Sequence, residues 1–367
     1  MGELAVQLGV DPIELRVRNE PTEGPEKHIP YSSRRLVGCY REGARRFGWE
    51  RRQARPGSVR DGRWLVGMGM AAATRGNPLR PSSASVRIDP DGLVTVRMAM
   101  TDIGTGTYTI LTQIAADMLG VSPGAIRMQL GDTDFPPAAG SGGSFGAASS
   151  GSALYVACET MRTRLAQAAG LDPAQAEFAG GAVHSGGNRH RSSDLVGPDG
   201  LEVSGEIKPG ATLKTYSQQS HGAQFAEVGV DMDTGEIRLR RMLGVFTAGR
   251  ILNRKTARSQ AIGGMVFGVG AALEEALILD PRYGNYVNHD LAKYQVPVHA
   301  DIPDIDAIFL YERDEVSNPL KSKGIGELGI CGAGAAIANA VFNACDARVR
   351  DYPITLDKVL ASLPAQV

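Results

Sequence analysis

Cysteine is scarce and scattered in this chain. Cys39, Cys158, Cys331 and Cys345 form no CxxC pair, which leaves neither a disulfide framework nor a zinc or iron-sulfur site. The six histidines are equally dispersed, without HExxH, so no metal is expected to bind through the chain's own side chains. Excess charge of one sign is also missing: 39 basic and 40 acidic residues leave a formal net charge of -1, which favours neither nucleic acid nor a membrane surface. Long hydrophobic runs are lacking too. The longest, AIGGMVFGVGAAL (261–273), is shorter than the ~20 residues of a membrane helix and runs into Glu274 and Glu275, so it reads as a buried helix. The opening MGELAVQLGVDPIELRVRNE has no charged-then-apolar signal layout and reads as an amphipathic helix followed by a turn. What is present, 367 residues with 43% hydrophobic and 22% charged content, suffices for two or more compact domains.

Residues 36–54 place Leu36, Cys39, Tyr40, Ala44 and Phe47 at helical spacing beside Arg-rich faces, and predict a surface helix. The turn-rich stretch 55–63 marks a first boundary. WLVGMGMAAAT then predicts a buried strand, and ASVRIDPDGLVTVRMAM a hairpin turning at Asp91-Gly92. A helix (TYTILTQIAADMLG) and a strand (AIRMQLGD) follow. FAEVGVDMDTGEIRLRRML repeats the hairpin and is again followed by a helix, a weak internal duplication of a strand-turn-strand-helix unit. Residues 172–214, rich in Gly, Pro and polar residues, separate the two. Hairpins with segregated helices predict an α+β fold of two related layered subdomains: a helical lead-in over 1–63, a first subdomain over 64–205 and a second over 206–367.

Four segments carry the candidate chemistry: DIGTGTYT (102–109), GSGGSFGAASSGSAL (140–154), RILNRKTARSQAIGG (250–264) and KSKGIGELGICGAGAAIANA (321–340). Three directly precede an apolar helical run, where free backbone N–H groups and the helix dipole favour an anion such as a phosphorylated ligand. The Gly/Ser segment could equally be a flexible linker, although a strand and a helix flank it tightly. GIGELG (324–329) matches GxGxxG, which raises a nicotinamide-dependent dehydrogenase. Its context opposes that reading, because SNPLKSK cannot be the buried strand such a motif follows. Glu327 is expected at the opening of the last Gly/Ala-rich helix, where a carboxylate complements the dipole. Glycines 324, 326 and 329 let backbone and ligand crowd it, which suits a general base. Arg75, at the end of the first buried strand, is a candidate for orienting substrate or an anion, or else an ordinary surface guanidinium.

Taken in order, these segments resemble the molybdenum-binding subunit of the xanthine dehydrogenase and aldehyde oxidase family. The resemblance is strongest at DIGTGTYT, GDTDFPPAAGSGGSFGAASSG, AEVGVDMDTGEI, RSQAIGGMVFGVGAALEE and KGIGELG. DIGTGTYT and FTAGRILNRKTARSQ are most similar to the bacterial periplasmic aldehyde oxidase branch, which uses molybdopterin cytosine dinucleotide. The resemblance implies that Ile103, Gly104 and Thr105, with Gly146 and Ala147, contact the cofactor. It implies that Arg250, Ile251, Leu252, Asn253, Arg254, Lys255, Thr256 and Gln260 hold its phosphates and cytidine end, and that Lys323, Gly324, Ile325 and Gly326 bring backbone beside the metal's ligands. Glu327 is implied as the base in the oxidation of aldehydes to carboxylic acids, with water as the oxygen source.

A complete subunit of that family is about twice as long. The resemblance therefore implies a C-terminal half that needs an N-terminal half, an iron-sulfur (2Fe-2S) subunit and an FAD subunit as partners. The alternative is an inactive fragment or scaffold of the same fold. The compartment stays open, periplasmic by export with a partner or cytoplasmic.

Overall fold

The computed structural model describes residues 1–363. The chain opens with α1 (Gly2–Gln7) and α2 (Pro12–Arg18); Asp11 caps α2 by accepting from the amides of Ile13 and Glu14. Helix α3 (Leu36–Phe47) ends at Gly48 in a left-handed conformation, the usual way for a helix to stop. Strand β1 (Trp64–Gly76) follows.

The first unit then builds in one pass. β2 (Ser82–Ile88) and β3 (Val94–Met98) form the expected antiparallel hairpin, closed by Gly92 N–H donating to the Asp89 carbonyl. Helix α4 (Thr107–Leu119) crosses over, and β4 (Ile126–Leu130) returns parallel to β3. Helix α5 (Gly146–Ala168) leads back to β5 (Leu201–Ile207), which pairs antiparallel with β2. The sheet order is β5-β2-β3-β4. A small three-stranded meander over 177–191 sits between α5 and β5.

The second unit repeats the path. β6 (Gln219–Asp231) and β7 (Ile237–Thr247) are antiparallel, α6 (Arg254–Leu273) crosses over, and β8 (Ile305–Phe309) returns parallel to β7. Helices α7 (Ala333–Cys345) and α8 (Leu356–Leu360) close the described chain. Here the fourth strand, in the place of β5, is β1, antiparallel to β6 along its whole length, with Arg60–Asp61 as a short edge beyond it. The sequence reading put β1 in the first subdomain, yet it lies in the second unit's sheet. Strand partnership is decided by long-range hydrogen bonds, and nothing local to β1 reports them.

The two sheets are covered differently. In the first, one core gathers Val86, Val96, Leu111, Leu154 and Met161 under α4 and α5. The second is covered on both faces: α6 and α7 pack on one, around Val228, Met265 and Ile337. On the other face α3 packs Leu36, Tyr40 and Phe47 against Phe225 and Val245. This explains why β6 is buried almost throughout while β5 alternates. Residues 36–47 are thus a covering layer of the second sheet, more deeply engaged than a surface helix.

Glycines in equivalent strands bring helices unusually close. A Cβ on Gly205 of β5 would lie 2.7 Å from the Ala153 carbonyl of α5. In the other unit a Cβ on Gly69 of β1 would lie 2.6 Å from the Asn339 backbone of α7, and one on Gly67 2.8 Å from Ala344. The same small-residue contact seats α5 in the first unit and α7 in the second.

Candidate active site

Four loops, two from each unit, converge on one cavity of about 240 Å³. They are the loops after β3 and β4 in the first unit and the equivalent loops after β7 and β8 in the second. The cavity lies where the two copies of the motif face each other.

In the loop after β3, the Asp102 carboxylate accepts from Gly104 N–H at 2.9 Å and Tyr108 N–H at 3.2 Å, which ties DIGTGTYT to the first turn of α4. Ile103 and Thr105 line the cavity. Gly104, between them, supplies the left-handed turn with φ 94°. Across the cavity Asn253 caps α6, its Oδ1 accepting from the amides of Lys255 and Thr256, both at 3.0 Å. Its amide also donates to Gln113 of α4 at 3.1 Å, joining the units.

Arg250, Ile251, Leu252, Asn253, Thr256 and Gln260 line the cavity; Arg254 and Lys255 are exposed and lie outside its wall. The expectation of an anion on free first-turn amides meets a competitor at α6, because Asn253 already occupies two of them. At α5 no side chain caps the amides, and Gly146 and Ala147 at its first turn line the cavity. Of these helix starts α5 is therefore the most open to a ligand.

The loop after β8 forms the cavity floor. Gly324 N–H donates to Asn77 Oδ1 at 3.0 Å, Ser220 Oγ donates to the Gly324 carbonyl at 2.7 Å, and Lys323 N–H donates to the Ala248 carbonyl at 2.8 Å. A Cβ on Gly324 would strike the carbonyl of Ser144, so the approach of the two loops requires glycine there. Lys323, Gly324, Ile325 and Gly326 all line the cavity, but the Lys323 side chain turns away from it. Its ammonium is wholly buried, 3.2 Å from Glu312 and 3.5 Å from Asp314, and donates to Ser33 Oγ at 2.6 Å. Nearby His221 is buried with both ring nitrogens unpartnered. Desolvation, aided by the charges of Arg34 and Lys323, holds it down to about 3, so it is neutral.

Glu327 stands at the cavity edge, its side chain 46% exposed. It is not in a first helical turn as expected: residues 326–332 form a run of turns, and α7 starts only at Ala333. Its Oε2 is engaged by the Arg75 guanidinium and by Ser144 Oγ at 3.1 Å, while its N–H donates to the same Ser144 oxygen at 2.9 Å. Arg75 and Glu327, 252 positions apart, are thus brought together. Ser144 and Asn77 were missed by the sequence reading. Ser144 lies in the segment singled out for its glycines, and only its partner across the interface distinguishes it from its neighbours. GIGELG is preceded by loop and followed by turns, with the nearest strand ending at Phe309, which overturns the dinucleotide-fingerprint alternative.

The profile of the molybdopterin cofactor-binding domain family matches residues 42–303. The chain belongs to that family. It is 52% identical over 363 residues to the aldehyde oxidoreductase molybdenum-binding subunit PaoC of Escherichia coli K12, a match covering 99% of this chain and 50% of that protein. Among solved structures, quinoline 2-oxidoreductase from Pseudomonas putida 86 superposes with TM-score 0.86 at 25% identity, over 98% of this chain and 50% of that one. The aldehyde oxidoreductase of Desulfovibrio gigas shares the fold, with TM-score 0.81 at 24% identity over 99% and 40% of the two chains. The chain spans about half the length of the curated relatives it matches. A molybdopterin group fits the residues present in part. Glycine-lined walls and the uncapped α5 amides suit close backbone contact with such a group.

Proposed function

We propose that this chain is the C-terminal half of the molybdenum-binding subunit of an aldehyde oxidoreductase, oxidising aldehydes to carboxylic acids. The supporting observation is the carboxylate of Glu327, held by Arg75 and Ser144 at the mouth of a cavity built from four glycine-bearing loops. The overall change is aldehyde plus water giving carboxylic acid, two protons and two electrons. The molybdenum cofactor, when bound, supplies the two-electron acceptor.

The chain's own residues bind, orient and move a proton. Ile103, Gly104, Thr105, Gly146 and Ala147 would contact the pterin, and the backbone of Lys323–Gly326 would lie toward the metal end. Residues 250–253, Thr256 and Gln260 would hold the phosphates and cytidine of a cytosine dinucleotide form, with Arg250 in the wall and Arg254 and Lys255 just outside it adding positive charge. Glu327 takes a proton from the oxygen that attacks the aldehyde carbon, and Arg75 positions that carboxylate. The other half of the subunit, an iron-sulfur subunit and an FAD subunit complete the electron path.

The test is Glu327→Gln in the assembled complex. Turnover falls by about 10²–10⁴-fold, as for loss of a general base, while molybdenum and the CMP released on hydrolysis stay stoichiometric. Normal turnover overturns the assignment of the base, and absence of CMP overturns the dinucleotide.

A further inference from the structure

We infer that Ser144 is a positioning residue of this site, acting with Arg75 to fix the Glu327 carboxylate by one oxygen and leave the other without a hydrogen-bond partner among the described residues. The inference rests on the base role proposed for Glu327 and adds the group that aims it.

Ser144 has φ 60°, in the left-handed region that residues other than glycine seldom adopt. Gly142 and Gly143 precede it, so a third glycine would satisfy the backbone without strain. What serine adds is a hydroxyl that works in both directions. Its Oγ accepts from Glu327 N–H at 2.9 Å and donates to Glu327 Oε2 at 3.1 Å, so main chain and side chain of one residue are held by one atom. Arg75 engages the same Oε2. Among the described residues Oε1 takes no hydrogen bond, and it is the oxygen left to receive a proton. Ser144 itself neither gains nor loses one.

The contact also joins the repeats. Ser144 lies between β4 and α5, and Glu327 between β8 and α7, which are equivalent loops of the two units. The Ser144 carbonyl lies where a Cβ on Gly324 would strike it, and the Ser144 hydroxyl lies 3.4 Å from where a Cβ on Gly326 would stand. The two loops are therefore in register at the residue that must be aimed.

Two variants of the assembled complex test this. Ser144→Gly keeps the left-handed backbone and deletes the hydroxyl, and Ser144→Ala deletes the hydroxyl with Cβ retained. In both, molybdenum and CMP content are expected to hold, kcat to fall about tenfold or more, and KM for the aldehyde to stay within about threefold, since losing a hydrogen bond to a charged group misaims the base without removing a substrate contact. Hydrogen–deuterium exchange gives an independent readout: the Glu327 amide exchanges about tenfold faster in both variants. Unchanged kcat, unchanged exchange at Glu327, or a loss of turnover that merely follows loss of molybdenum each overturns the proposal. Glu327→Gln alongside separates the two failures. If it is active, the base reading falls; if it is inactive and Ser144→Gly turns over normally, only the role of Ser144 falls.

Discussion

The Lys323 ammonium is wholly buried, facing Glu312 and Asp314 that are buried as deeply. Such a group is costly to assemble and costlier to break, because removing one partner leaves charge uncompensated in a low-dielectric interior. Lys323→Met is expected to lower stability by about 3–5 kcal/mol, read from the urea midpoint. A change under about 1 kcal/mol, the scale of an exposed pair, would show that the cluster does not hold the floor loop. His221 gives a pH signature. Its folded value is held at about 3, below the ordinary 6.5. Above 6.5 both states are neutral and the residue adds no pH dependence to stability. Between 6.5 and 3 the unfolded chain binds a proton that the folded chain refuses, so stability falls as pH falls, by up to about 1.4 kcal/mol per pH unit. His221→Gln should flatten that slope between pH 6.5 and 4 in urea titrations; an unchanged slope would contradict the burial argument. Glu327 and Arg75 were legible as candidates in the sequence, one from its glycine neighbours and one from its place at a strand end. Their pairing was not, since it spans 252 positions.

Most elements followed from local pattern. Alternation and turn residues indicated both hairpins, helical spacing indicated α3 and α4, and an apolar run indicated the body of α6, because these signals are local. Helix starts were harder to place. α5 begins at Gly146 inside a segment whose composition reads as linker, and α7 begins six residues beyond Glu327. In both places glycines serve close packing at a loop, so their helix-breaking character misleads. The glycines at the strand-helix contacts make a prediction of their own. Gly69→Ala in β1 and Gly205→Ala in β5 each force a Cβ onto helix backbone. Each should cost about 1–3 kcal/mol, the range for overpacking, measured by thermal or urea unfolding. The two costs should add, because the sites belong to different units. If either substitution were neutral, the close approach would not be a packing constraint.

At the scale of the molecule, the fold is one motif used twice, with its second copy completed by a strand from the chain's first quarter. The cavity between the copies is open, and the segment after α6 presents Leu277, Ile278, Leu279, Tyr283 and Leu291 to solvent, each more than half exposed. Apolar surface of that extent on one segment suits an interface. The chain expressed alone is expected to self-associate in size-exclusion chromatography, bind ANS and carry no molybdenum; a compact monomer with stoichiometric metal would contradict the need for a second half. Composition, spacing and motif order by themselves determined the α+β class and the duplication and singled out the glycine-bearing segments as candidates for chemistry, since each depends on neighbours in sequence. Only the tertiary structure decided that β1 completes the second sheet, that Lys323 points into a buried ionic cluster, and that Arg75, Ser144 and Glu327 meet. Those contacts are made by hydrogen bonds and charge pairs between residues far apart in the chain, and local propensity carries no record of them.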